Sequence, residues 1–259
     1  MAAPDARVSG TFSMRAKVTT AVDVAGEHPG EIRSRRWSIV PAGCTLDVCT
    51  SLQLERQRSD NLYSTITLRR RGPGSYAGNG VFYAALECRG RRYRHGSRVP
   101  YRITLRVTAT SEIGGIVFAK RIAATYVNSH RIDLTPCPLG PSHDAGVYTG
   151  GLTSALPAAP TAAFTAAVDA ATGTVAFTDT SQAGSGNGAI VSQVWTFDDP
   201  ESPNGNSSTL QDPTHTYLVP GSYAVTLVVL DAEGLSASVT QTVIVGPASE
   251  AAQGPAPSG

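Results

Sequence analysis

Val99, Tyr101, Ile103, Leu105 and Val107 alternate with Pro100, Arg102, Thr104 and Arg106, a period of two. That period fits a strand with one dry face and one wet face, because successive strand side chains point to opposite sides of the pleat. The same alternation recurs through the first half of the chain. Phe12, Met14, Ala16 and Val18 oppose Ser13, Arg15, Lys17 and Thr19; Leu46, Val48, Thr50, Leu52 and Leu54 share a face, as do Phe82, Ala84, Leu86 and Cys88. Residues 35–40, 62–69 and 116–127 are further strand candidates. Seven or eight strands joined by short turns predict an all-β, antiparallel N-terminal region, either an up-and-down barrel or a sandwich.

The 259 residues suit two domains of ordinary size. Charge shows where they divide. All 21 Lys and Arg lie in residues 1–150 beside 11 Asp and Glu, a net charge of +10, while the remainder holds 9 acids and no Lys or Arg. Such sorting points to two modules of separate origin. Residues 151–160, rich in Ala and Pro, read as a semi-extended linker, residues 161–246 as the second domain, and residues 247–259 as a disordered tail. No run approaches the ~18 apolar residues of a membrane-spanning helix, which argues against membrane insertion through a helix.

In the second domain, Val175 and Phe177, then Trp195 and Phe197, then Tyr223, Val225, Leu227 and Val229 form alternating faces between turn signals at Gly173, Asn204-Gly205, Pro220-Gly221 and Glu233-Gly234. Its wording is specific: Trp195-Thr-Phe197-Asp198-Asp199, then Pro213-Thr-His215-Thr-Tyr217, Pro220-Gly221-Ser-Tyr223-Ala-Val225-Thr-Leu227-Val-Val229-Leu-Asp231 and Gly234. This resembles PKD domains, which read W-x-F-G-D-G followed by P-x-H-x-Y-x-x-P-G-x-Y-x-V-x-L-x-V-x-D-x-x-G. The resemblance implies a seven-stranded Ig-like β-sandwich, without catalysis, that serves secreted and cell-surface proteins as a spacer or interaction module. One departure is Asp198-Asp199-Pro200 in place of Gly-Asp-Gly, which should deny that turn the family's glycine conformations.

Trp195, Tyr217 and Tyr223 are expected in the core with their polar tips bonded. Some PKD-type domains bind calcium, and Asp198, Asp199 and Asp231 are the candidate oxygen ligands for such an ion. No other cofactor is expected.

Cys44, Cys49, Cys88 and Cys137 all lie in the basic domain. Four cysteines allow three pairings; the short loop between Cys44 and Cys49 suits a hairpin bridge, which would leave Cys88 to join Cys137, with reduced core cysteines as the alternative, and the spacings lack the C-x-x-C of a zinc knuckle. Two disulfides imply an oxidising compartment, secreted or cell-surface. Met1 to Arg7 contain no apolar run of a signal peptide, so the start is read as lying downstream of any export signal.

No catalytic residues emerge. The five histidines form no H-E-x-x-H, there is no G-x-S-x-G and no phosphate loop, and Ser59-Asp60-Asn61 lacks the partners of a β-lactamase set. The sequence therefore predicts a non-enzymatic binding or adhesive protein whose partner is a protein or glycan of a cell envelope or host surface. Two alternatives stand beside it: an accessory region of a secreted enzyme, and a binder of anionic polymers such as nucleic acid or sulfated or phosphate polymers. The polymer reading rests on nineteen Arg against two Lys and on parity. Arg98, Arg102 and Arg106 occupy the outward face of one strand, Arg15 and Lys17 that of another, and Arg69 joins them as a candidate surface cation.

Overall fold

The computed structural model describes residues 4–24, 26–58, 61–137, 140–184 and 189–246. The expected tail, Ser59-Asp60 and residues 185–188 lie outside them. The chain divides into two compact units, Met1–Glu112 with Ile116–Leu156 and Ile113–Gly115 with Pro157–Gly259.

The first unit contains β1 (Gly10–Val22), β2 (Ile32–Thr45), β3 (Val48–Gln57), β4 (Tyr63–Gly72), β5 (Ser75–Cys88), β6 (Arg91–Ile113), β7 (Ile116–Asn128), the two-residue β8 (Ile132–Asp133) and β9 (His143–Leu152). Each strand pairs with the next through β7, β9 lies between β7 and β1, and a β5–β6 pairing completes the ring. The result is an eight-stranded antiparallel barrel, with β8 added alongside β6. Of the two architectures open at sequence level, the barrel is the one formed. Closure pairs both sides of most strands, an exception being β4 before Arg69, which faces no ladder partner on its β5 side.

Alternation fills the interior. Phe12, Met14, Trp37, Ile39, Leu52, Leu54, Leu68 and Ile103 are almost fully buried, and large side chains inside are matched by glycines where strands pass closely. At Gly80 an added Cβ would stand 2.5 Å from the Tyr101 ring; Gly80 and Tyr101 are registered partners on β5 and β6. Only a residue without a side chain leaves room for that ring.

One end of the barrel is closed by the N-terminal segment. Arg7 forms a parallel bridge with Phe118, Ala6 and Val8 enter the core, and Asp5 bonds the Arg70 guanidinium and the Gly74 N–H. Burial acts to raise the Asp5 pKa, but the Gly74 N–H and Arg70 outweigh it and hold the carboxyl below its usual range. An acid lowered in the folded state lends stability above its unfolded value, and this is lost as pH falls through the lowered one. Asp5→Asn should therefore destabilise the barrel by about 1 kcal/mol at neutral pH. The gap between the melting curves of the two proteins should shrink once pH drops below 3.8; a gap that is constant with pH would show that Asp5 carries no ionic role.

Two sequence expectations are corrected here. Gly151 and Leu152 belong to β9, paired with Ser13 and Phe12, and Thr153 bonds the Thr11 carbonyl; the connector is thus shorter than residues 151–160. Leu46, Val48 and Thr50 do not continue the buried face of Leu52 and Leu54. Leu46 turns between β2 and β3 with φ of 51°, and Cys49, joined to Cys44, is buried instead.

The second unit holds β10 (Phe164–Asp169), β11 (Thr174–Asp179), β12 (Ile190–Thr196), β13 (Ser207–Ser208), β14 (Thr214–Thr216), β15 (Gly221–Asp231) and β16 (Ser236–Val245). They form one sheet ordered β10-β11-β14 and another ordered β13-β12-β15-β16, the seven-stranded sandwich that was expected. Trp195, 0% exposed, contacts Phe164 and Phe177 edge-on or tilted. Its Nε1–H donates to the Leu210 carbonyl at 2.9 Å, while the Tyr217 and Tyr223 hydroxyls donate to the carbonyls of Phe197 and Val219. Trp195 and Tyr217 are core residues, Tyr223 is half-buried against that core, and all three have satisfied tips.

The turn after Phe197 departs from expectation. Asp198 adopts φ of 60°, the left-handed region, although it is not glycine. Asp and Asn tolerate that region best among residues with a side chain. Here the Asp198 carboxylate also accepts the Ala224 N–H at 2.9 Å, which helps to offset the cost.

Candidate functional site

The end of the barrel opposite Asp5 gathers arginines. On β3 the period of two that buries Leu52 and Leu54 carries on to Arg56 and Arg58, which are 4% and 7% exposed. On β2, Trp37 is followed on the same face by Arg35 and Arg33. Arg131 enters from the segment between β7 and β9. These five arginines, with Glu27, Asp144, Phe82, Tyr126 and Tyr148, line a cavity of about 50 Å³. By volume this is room for a few water-sized groups.

Arg56 sits among rings. Its Cζ lies 4.4 Å from the centroid of Tyr101 and 4.7 Å from that of Tyr126, and Arg58 stacks 4.4 Å over Phe82. Tyr101 and Tyr126 touch each other, as do Trp37 and Tyr148. Ring faces are negative and attract the guanidinium, but they accept no strong hydrogen bond.

Two of the acids nearby are paired with arginines, and a third, Glu27, also lines the cavity. Asp144 bonds Arg131 Nη2 at 2.9 Å, and Glu31 bonds Arg33, whose guanidinium holds that carboxyl below its usual range. Among the described residues, Arg56 Nε and Nη2, Arg131 Nε and the Tyr126 hydroxyl are buried without a protein partner. Burial, assisted by Asp144, pushes the Tyr126 hydroxyl well above its usual range. It stays protonated. The unmet arginine atoms are donors only, the Tyr126 hydroxyl can donate or accept, and Glu31 Oε2 beside Arg33 is an unmet acceptor; an arginine cannot escape by losing its proton.

Above the cavity the barrel opens into a mouth of about 1070 Å³ that shares Glu27, Phe82 and Arg131 with it. The mouth exists because β5 pairs with β4 only from Ser75 to Ala77, whereas its pairing with β6 runs on to Cys88. The projecting hairpin is held by the Cys88–Cys137 disulfide, and Cys44–Cys49 links the paired ends of β2 and β3.

The surface cations named from parity lie outside the barrel. Arg15, Lys17, Arg69, Arg102 and Arg106 are exposed, and Arg98 is half-buried. Arg102 and Arg106, with Arg71, line a shallow outer groove of about 670 Å³. Arg15 and Lys17 pair with Thr149 and Val147 of β9, so β9 and β7 separate them from the β6 arginines in the sheet order. The six therefore form no single cluster.

The calcium expectation is not met by the geometry. Asp231 pairs with Ile190 at one end of the β12–β15 ladder, while Asp198 lies past the Thr196–Thr226 pair at the other and bonds Ala224, roughly 23 Å away at strand rise. The acids are bonded locally instead. Asp231 Oδ1 accepts the N–H groups of Glu233 and Leu235, and Asp199 accepts from His215 Nε2 at 3.0 Å. Among the described residues no group of three or more His, Cys, Asp and Glu is placed to hold a metal ion.

Comparison with known proteins bears on the second unit. The PKD domain family profile matches residues 157–245. A microbial collagenase of Vibrio alginolyticus is 48% identical over 59 residues, which cover 23% of this chain and only 7% of the collagenase. The PKD1 domain of the Vibrio cholerae metalloprotease PrtV is 39% identical, covering 34% of this chain and 98% of that domain, with a TM-score of 0.29. The PKD1 domain of Vibrio anguillarum Epp is 29% identical, covering 36% and 99%, with a TM-score of 0.31. The second unit of this chain, residues 157–245, is a PKD domain.

Proposed function

We propose that the chain is a non-catalytic part of a secreted or cell-surface protein in which the barrel is a ligand-binding head and the PKD domain a spacer or interaction module. The observation that supports this reading is the buried, acceptor-poor arginine cavity beneath an open mouth. Leaving two buried guanidinium N–H groups without an acceptor costs several kcal/mol, more than ring contacts return. Such unmet groups call for a water, ion or ligand, and an acidic ligand would supply the missing acceptors. Two disulfides support export, and a barrel with an apolar interior and charged exterior is the inverse of a membrane-spanning one. Collagenase and metalloprotease relatives of the PKD domain are compatible with attachment to a secreted enzyme.

The test is calorimetric melting of the full chain in millimolar sulfate or acetate against chloride of equal ionic strength. A bound anion at about 100 times its Kd adds about 2.7 kcal/mol, roughly 5–10 °C for a unit of this size. The barrel transition should rise while the PKD transition stays put. A rise in both transitions would be general salt exclusion, and no rise in either would defeat the reading.

The second reading, an anionic polymer on the outer face, is favoured by exposed Arg69, Arg102 and Arg106 on adjoining β4–β6. Retention on heparin should then fall steeply between about 50 and 300 mM salt, and Arg102→Ser with Arg106→Ser should reduce it without touching the melting shift.

A further inference from the structure

Resting on the head as an anion-binding module, we infer that its ligand is an amphiphile with one compact carboxylate or phosphate group. The charged group sits against Arg56 in the barrel, and the apolar body lies along the inner face of the projecting β5–β6 hairpin.

Three features lead there. The cavity beside Arg56 measures about 50 Å³, room for a single acid group and not for a polymer segment, whose further charges would meet the Tyr101, Tyr126 and Phe82 rings. Arg56 Nε and Nη2 lie on one edge of the guanidinium, both buried and without a protein acceptor. That edge of a planar fork suits two oxygens of one acid group. The route outward then changes character: β5 lines the mouth from Phe82 to Leu86, with Phe82, Ala84 and Leu86 half-buried, while Asp23 and Glu27 line it from the segment after β1. Above Ala77, where β4 pairing ends, the three half-buried β5 side chains form an uncharged track that starts beside the cavity, because Phe82 lines both spaces. Arg92 and Arg94 stand at the outer part of the mouth and are exposed; there, charge is solvated and adds little to affinity.

An inorganic anion would satisfy Arg56 and leave the track unused. A neutral chain would cover the track and leave Arg56 unmet. An amphiphilic acid does both.

Isothermal calorimetry on the full chain with decanoate, acetate, sulfate and decanol separates these cases. Decanoate should bind at least tenfold more tightly than acetate or sulfate, and decanol should show no measurable binding. Arg56→Met should lower decanoate affinity tenfold or more while circular dichroism shows an intact barrel. Should Arg56→Met fail to fold, Leu86→Glu supplies the second arm, since a carboxylate on the track should weaken decanoate tenfold and leave sulfate unchanged. Equal affinity for decanoate and sulfate would overturn the inference and leave the anion-binding head standing. Binding by decanol as tight as by decanoate would overturn the role of Arg56. Binding by none of the four would remove both readings.

Discussion

Trp195→Ala is expected to unfold the PKD domain at temperatures where the barrel remains native. The indole is 0% exposed and contacts Phe164 and Phe177. Truncating such a side chain costs about 3–5 kcal/mol, and the Leu210 carbonyl also loses its donor. For a unit of this size that is a large share of the whole stability, lowering the melting temperature by roughly 15–30 °C. The barrel has its own core, with no member in common with the PKD core. Its transition should therefore stay within a few degrees of wild type. One cooperative transition that shifts as a whole would contradict the division into two units.

The disulfides give the second large effect, and they should differ from each other. Cys88 and Cys137 are 49 residues apart, Cys44 and Cys49 only 5. Cross-linking removes more freedom from the unfolded chain when the closed loop is longer. The chain-entropy estimate is roughly 4 kcal/mol for the first and roughly 2 kcal/mol for the second. Denaturant titration of Cys88→Ser/Cys137→Ser against Cys44→Ser/Cys49→Ser should show the former losing about twice as much. The longer bridge also fixes the segment behind Arg131 to the β5–β6 hairpin, so its loss should weaken anion binding as well. Equal losses, with binding intact, would show that the bridge neither restrains the unfolded chain nor shapes the mouth.

The alternation that exposes Arg102 and Arg106 was legible in the sequence, and so were the strands it defines. The PKD domain was legible in greater detail because its turn glycines and aromatic positions repeat at fixed spacing. Ring closure was not. It depends on β9 returning between β7 and β1, and β9 (His143–Leu152) carries three glycines and little apolar alternation, so its strand signal is faint.

The arginine cavity was within reach of the same parity rule. Leu52 and Leu54 define an inward face, and the period of two carries it on to Arg56 and Arg58; Trp37 does likewise for Arg35 and Arg33. The usual pairing of charge with solvent hides this step, since a polar residue in register with a core row ordinarily marks the end of the strand. Calcium failed for a complementary reason. Asp198 and Asp231 belong to one motif but lie at opposite ends of an extended ladder, and membership of a motif says little about distance across a sheet.

The buried guanidinium itself can be observed directly. In a 15N-labelled full chain, the Nε–H resonance of Arg56, assigned by its loss in Arg56→Lys, should exchange slowly with solvent, as a buried donor does. During a decanoate titration it should shift and saturate together with the calorimetric isotherm, while the Nε–H resonances of exposed Arg102 and Arg106 stay in place. An Arg56 signal that never moves while ligand binds, or that exchanges as fast as theirs, would contradict an anion site inside the barrel.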